Sequence, residues 1–164
     1  MSDVSESAIV SITMADYAAV DSVGKLNIIG GGITIVPPTS TGLTTPLSVV
    51  VTITVPPEFY NEECSAEVQL EDASGSIVSL PGPAEPQLMR IGQSLVFEEP
   101  NHRGATVPRR TLRSRHQFVL NFAAGLPLAV GQKYTWRVRI DGDSNQSWTE
   151  EFFVPGAAPG PVLG

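Results

Sequence analysis

The chain has 164 residues, of which 41% are hydrophobic and 16% charged, with a formal net charge of −7. That length fits one domain with a substantial core, and the composition excludes an intrinsically disordered chain. The acidic balance argues against general binding to nucleic acid or anionic membranes.

Fifteen glycines and fourteen prolines, without a collagen-like period, imply many tight turns between short elements. The single cysteine, Cys64, allows no intramolecular disulfide, so packing must supply the stability. The first residues, Met1-Ser2-Asp3-Val4-Ser5-Glu6, are acidic and polar where a secretory signal would be basic and then apolar. No apolar run approaches the roughly 18 residues of a transmembrane helix. The expectation is a protein made in the cytosol, retained there or built into a particle assembled there, with no membrane partner.

In chain order, alternation with period two dominates. Val10, Ile12 and Met14 alternate with Ser11, Thr13 and Ala15. Leu26–Ile29 and Ile33–Val36 are β-rich runs on either side of Gly30-Gly31-Gly32. From Leu47 the pattern is cleaner: Leu47, Val49, Val51, Ile53 and Val55 share one face. Cys64, Ala66, Val68 and Leu70 then oppose Glu63, Glu67, Gln69 and Glu71. Asp72-Ala73-Ser74-Gly75 has turn chemistry, and strands are expected at Ser76–Leu80 and around Leu88–Phe97. In the last third, Phe118, Leu120 and Phe122 alternate, then Tyr134, Trp136, Val138 and Ile140, then Trp148, Phe152 and Val154. Asp141–Gln146 is expected to turn the last two strands into a hairpin.

No segment sustains a 3.6-residue apolar period. Eight or nine short strands joined by Gly/Pro-rich turns predict an all-β, antiparallel β-sandwich over residues 7–155. Residues 1–6 are expected as a flexible N-terminal arm and 156–164 as a Gly/Pro-rich tail.

Residue counts leave little room for catalysis. Gly30-Gly31-Gly32 is followed by a β-branched strand and preceded by Lys25, the reverse of a phosphate loop, so a bulge or bend is expected. Asp141, Asp143 and Asn145 have the first spacing of a calcium loop, but its glycine and glutamate positions hold Gln146 and Phe152. Two histidines, His102 and His116, and one cysteine are too few for zinc, and no Gly-x-Ser-x-Gly elbow occurs. His116 and Cys64 share parity with core positions. No cofactor, metal or catalytic residue is expected.

Charge segregation is more informative. Glu58, Glu62, Glu63, Glu67, Glu71 and Asp72 form an acidic stretch, and Arg103, Arg109, Arg110, Arg113 and Arg115 a basic one. Arg113 and Arg115 have the parity opposite to Phe118, and Arg137 and Arg139 the parity opposite to Trp136. If those two strands pair as a hairpin, all these arginines share one basic face opposite an acidic strand. Guanidinium groups hold carboxylates in two-point contacts, so this face and the long loop Asn101–Leu112 are the expected protein-binding surface. Nucleic acid is disfavoured because no aromatic residues interleave with the arginines.

Ala15-Asp16-Tyr17-Ala18-Ala19-Val20-Asp21 with Gly24-Lys25-Leu26-Asn27-Ile28-Ile29-Gly30-Gly31-Gly32 resembles an uncharacterised family of small β proteins from actinobacteria and their tailed phages. Gly131-Gln132-Lys133-Tyr134-Thr135-Trp136, Ile140-Asp141-Gly142 and Phe152-Phe153-Val154 are similar to the same family. The resemblance implies an immunoglobulin-like or related sandwich and supplies no catalytic residues. It points to a non-enzymatic structural protein of a phage virion, such as a capsid decoration protein, contacting the major capsid protein or copies of itself. The alternatives are a cytosolic bacterial protein-binding module and, behind it, a small-ligand-binding sandwich.

Overall fold

A computed structural model describes residues 2–100 and 104–156. The chain is an all-β sandwich of antiparallel sheets. One sheet is ordered β1 (Ile9–Ala15), β4 (Leu47–Val55), β9 (Ser114–Phe122); the other is ordered β11 (Thr149–Val154), β10 (Gln132–Ile140), β5 (Glu63–Glu71), β8 (Arg90–Val96). Two ribbons complete it: β2 (Tyr17–Val20) with β3 (Leu26–Ile29), and β6 (Ser79–Leu80) with β7 (Gln87–Leu88). The long strands run as a β1–β4 pair in one sheet and a β5–β8 pair in the other; β9 then returns to the first sheet and β10–β11 to the second, a Greek-key order.

The core lies where sequence parity places it. Val49, Val51, Ile53 and Val55 of β4 meet Val68, Leu70, Trp136, Val138 and Ile140 of the facing sheet, all of them buried. Phe122 stacks on Trp136 across the interior with ring centroids 5.6 Å apart, the offset aromatic packing that adds to simple area burial. Cys64 is buried with them, and burial pushes its thiol pKa up to about 11, so it is an inert apolar filler at neutral pH.

The glycine triplet is a bend, as its setting predicts. Gly30 has φ +64°, and a Cβ there would lie 2.0 Å from the Asp16 carboxylate. The chain then turns so that Gly32 N–H donates to the Met14 carbonyl at 2.9 Å. Past the bend, Ile33–Val36 is only a bridge rather than a full strand. Ile35 pairs parallel with Phe153, and Val36 N–H and Thr34 C=O both bond Phe153. This segment closes the outer edge of β11.

The β2–β3 ribbon lies against the outer side of β4. Ala18 N–H donates to Ser48 Oγ at 3.1 Å, and Ser48 Oγ donates to Asn121 Oδ1 at 2.5 Å. Ser48 and Ala18 are buried on what would otherwise be a solvated face.

The N-terminal segment differs from the expected free arm. Asp3–Ser7 is a short helix, α1, capped by the Ser2 side chain on Ser5 N–H, with Val4 in the core. Ser2 N–H and Ser5 Oγ donate to Asp143 Oδ2 at 2.9 and 2.8 Å. Ser2 Oγ donates to Asp141 Oδ2 at 2.7 Å. One buried valine and three hydrogen bonds oppose fraying of these residues. The expected tail lies outside the described residues, apart from Gly156, which is exposed.

Candidate functional site

The structure divides the candidate arginines. Arg103 lies outside the described residues. Arg109, Arg110 and Arg113 are exposed on the loop before β9, where Arg110 N–H donates to Glu99 Oε1 at 3.0 Å. Arg115 stands on the outer face of the three-stranded sheet, paired with Thr54. Arg137 and Arg139 stand on the outer face of the other sheet, paired with Gln69 and Glu67.

The expected single basic face therefore does not form. β9 and β10 are neighbours in sequence but belong to different sheets, and the chain between them crosses the sandwich. Each strand has one apolar row; with the strands facing each other across the core the β10 row is buried and the β9 row Phe118, Leu120 and Phe122 is partly buried against it, as in the Phe122–Trp136 stack.

The acidic strand is also not opposite the basic one. β5 sits between β8 and β10, so its acids share one outer face with Arg90, Arg137, Arg139 and Lys133. Arg90 Nε meets Glu67 Oε2 at 2.9 Å and Lys133 Nζ meets Glu151 Oε1 at 2.8 Å. Arg137 Nε meets Glu71 Oε1 at 2.8 Å, and Gln69 Nε2 donates to the same oxygen at 2.6 Å. The face is zipped by opposite charges and offers no net field for steering an anion or a cation. Arg139 differs from its neighbours in donating to a main-chain group, the Gly142 carbonyl, at 3.0 Å. It borders a shallow polar cavity of about 510 Å³ whose other walls include Glu67, Gln69, Glu71, Ile77 and Arg90.

A second cavity of about 510 Å³ opens at the side of the sandwich, lined by Val96, Glu98, Glu99, Ser114, Arg115 and His116. Burial holds the His116 imidazole below its ordinary pKa against the opposing pull of Glu98, and so favours the neutral form. The Ser114 hydroxyl donates to the Glu98 carbonyl at 2.7 Å, which closes the gap between the sheets. These groups pack an edge; the serine is held by a backbone acceptor and not by the imidazole.

Asp141, Asp143 and Asn145 serve the hairpin. Asp141 and Gly142, at φ 51° and 83°, form its tight turn with the Asp-Gly chemistry such turns prefer. Asp141 Oδ1 accepts from Ser65 N–H at 2.8 Å, Asp143 holds Ser2 and Ser5, and Asn145 Oδ1 accepts from Ser147 N–H at 3.0 Å. Among the described residues no group of three or more His, Cys, Asp or Glu is placed to hold a metal ion.

Hydrogen bonds from Ser2 and Ser5 hold the Asp143 carboxyl below its ordinary pKa. A depressed folded-state pKa gives a contribution that is complete above the unfolded value and is lost as pH falls through the folded one. Acidification below the ordinary aspartate range is expected to release α1 before the sandwich unfolds, seen as faster amide exchange at Ser5 and Glu6. Asp143→Asn should give that exchange at pH 7; unchanged protection in the variant would show that Val4 and the Ser2–Asp141 bond suffice to hold the helix.

The surface that sequence reasoning missed is apolar. On the β2–β3 ribbon, Tyr17 (54%), Val20, Val23, Ile28 and Ile29 (64%) are all exposed, and Tyr17 and Ile29 are cross-strand partners. Ile35 and Phe153, joined by their bridge, are exposed as well. The run Leu26–Ile29, interrupted by Asn27 but apolar at both parities, was the available signal.

The sequence matches no protein-family model and no curated protein. Among the described residues no helix is long and apolar enough to cross a membrane.

Proposed function

We propose that this domain is a non-enzymatic interaction protein that docks on another protein through its β2–β3 ribbon, and that it is an accessory of a phage particle, such as a capsid decoration protein. The observation that carries the docking role is the concentration of exposed apolar side chains on that one ribbon. Large apolar groups clustered on a surface favour a protein contact because docking removes them from water. The ribbon is fixed to the sandwich by the buried Ala18–Ser48–Asn121 chain of hydrogen bonds, so little ordering cost attends binding.

The resemblance of the terminal motifs to phage-encoded β proteins supports the particle role. Repeated display on a shell also suits a small domain, since many modest contacts add up to firm attachment. Mass spectrometry of purified virions is expected to find the protein, and its absence there would remove the particle role. Tyr17→Asp and Ile29→Asp are expected to weaken co-sedimentation with capsid shells by about tenfold or more while leaving the thermal midpoint unchanged, because both side chains are already exposed. Undiminished co-sedimentation of both variants would rule out the ribbon as the docking surface.

A further inference from the structure

A sheet edge invites another strand because alternate residues direct unpaired N–H and C=O groups outward. In the four-stranded sheet the 34–36 segment closes the β11 edge, whereas among the described residues β8 pairs only with β5. Leu70 N–H donates to the Met89 carbonyl at 3.0 Å, and Phe97 N–H donates to the Glu62 carbonyl at 3.2 Å. The β5–β8 register runs unbroken between those two points. Odd-numbered residues of β8 therefore bond β5, and Arg90, Gly92, Ser94 and Val96 direct their main-chain groups away from the sheet.

Natural edges are blunted by charge, proline, bulges or a covering element. From Ile91 to Val96 this strand has no charged residue, no proline and no bulge, and all but Leu95 are exposed.

We infer that β8 pairs antiparallel with β8 of a second copy about a two-fold axis at Gln93, joining the two four-stranded sheets into one continuous sheet. The register follows from the main chain. Outward groups meet only when even residues face even residues, and centring on Gln93 engages the full strand, Arg90 with the partner's Val96 and Gly92 with the partner's Ser94.

The side chains agree with that register. On the core-side row, half-exposed Ile91 is covered by the partner's Leu95. On the outer row, Arg90 comes beside the partner's Val96, at the end of the strand pair where Glu63 lies in register and Glu98 follows. Cation end thus meets acid end twice, a complementary arrangement that fixes direction and register.

This surface is distinct from the β2–β3 ribbon, so the two proposals stand or fall separately. One strand pair buries less than a standard interface, which places the dissociation constant at about micromolar.

Light-scattering mass is expected to climb from 17.4 kDa towards twice that value as loading rises from about 1 µM to several hundred. Gly92→Pro removes an outward N–H that takes no part in the β5 ladder, a place where edge strands tolerate proline; it should stay at the monomer mass. Gln93→Cys places two thiols on the axis in a non-hydrogen-bonded pair, whose Cα spacing of about 4.5 Å lies within disulfide range. Oxidation should give a covalent dimer on a non-reducing gel, without competition from Cys64, which is buried. A mass constant at the monomer value overturns the proposal, as does a doubled mass that survives in folded Gly92→Pro or that gives no Gln93→Cys cross-link. If circular dichroism shows Gly92→Pro unfolded, the cross-link decides.

Discussion

Trp136→Ala is expected to lower the unfolding free energy by about 3–5 kcal/mol, a large part of the roughly 5–15 kcal/mol that holds a domain of this size together. The indole is fully buried at the centre of the core, between register partners Leu70 and Glu150 on its own sheet. It stacks on Phe122 of the facing sheet at an interplanar angle of 20°. Its removal leaves a void where the two sheets touch, and neither sheet can close it without losing its own register. Trp136→Phe separates the volume from the polar atom. The Nε1–H is buried without an acceptor among the described residues, and a buried unpaired donor is itself destabilising. The phenylalanine variant is therefore expected to lose only about 1–2 kcal/mol. Urea unfolding followed by the remaining Trp148 measures both variants. Equal losses would show that the indole donor has a partner in solution.

Arg137→Ala is expected to cost about 2–3 kcal/mol, somewhat less than breaking a fully buried pair. The Glu71 side chain is 8% exposed and the Arg137 side chain 26%, so truncating the arginine leaves a carboxylate out of water with the Gln69 amide as its remaining partner. Arg139→Ala, two residues along the same strand face, should stay within about 0.5 kcal/mol of the parent because its hydrogen bond goes to an exposed carbonyl. The difference between the two, read from chemical denaturation, is the test. Equal small losses would mean that the Arg137–Glu71 pair is as weak as an exposed one. The same contrast reassigns Arg137. Its position on the outward parity suggested a contact residue, but its guanidinium is already engaged with Glu71 and contributes to stability.

The sandwich itself was legible because burial on a strand follows parity, and parity is a local property. Val49, Val51, Ile53 and Val55, the Cys64–Leu70 set and the Tyr134–Ile140 set all face the core as their alternation predicts. The turn at Asp72 is equally local. Its carboxylate accepts from Ser74 Oγ at 2.6 Å, Ser74 N–H at 2.8 Å and Ser76 N–H at 3.1 Å, and those bonds hold its pKa below the ordinary value.

Docking of α1 was not legible, because its acceptors Asp141 and Asp143 lie at the far end of the chain. The only local trace was a serine three residues before another serine, a weak capping signal. Nor was the apolar ribbon legible as a surface. Leu26–Ile29 reads as a strand whichever way it faces, and only its packing on β4 leaves Ile29 in water.

By itself the sequence determined where the long strands lie, which face of each is apolar, where the chain turns, and that the glycine triplet bends. Only the tertiary structure decided which strands are neighbours. Alternation says which side of a strand is buried but carries no information about what lies beside it. Placing β5 between β8 and β10, and sending β9 to the other sheet, turned two charged faces into one neutralised face. It also left β8 as an open edge and the β2–β3 ribbon as the apolar surface.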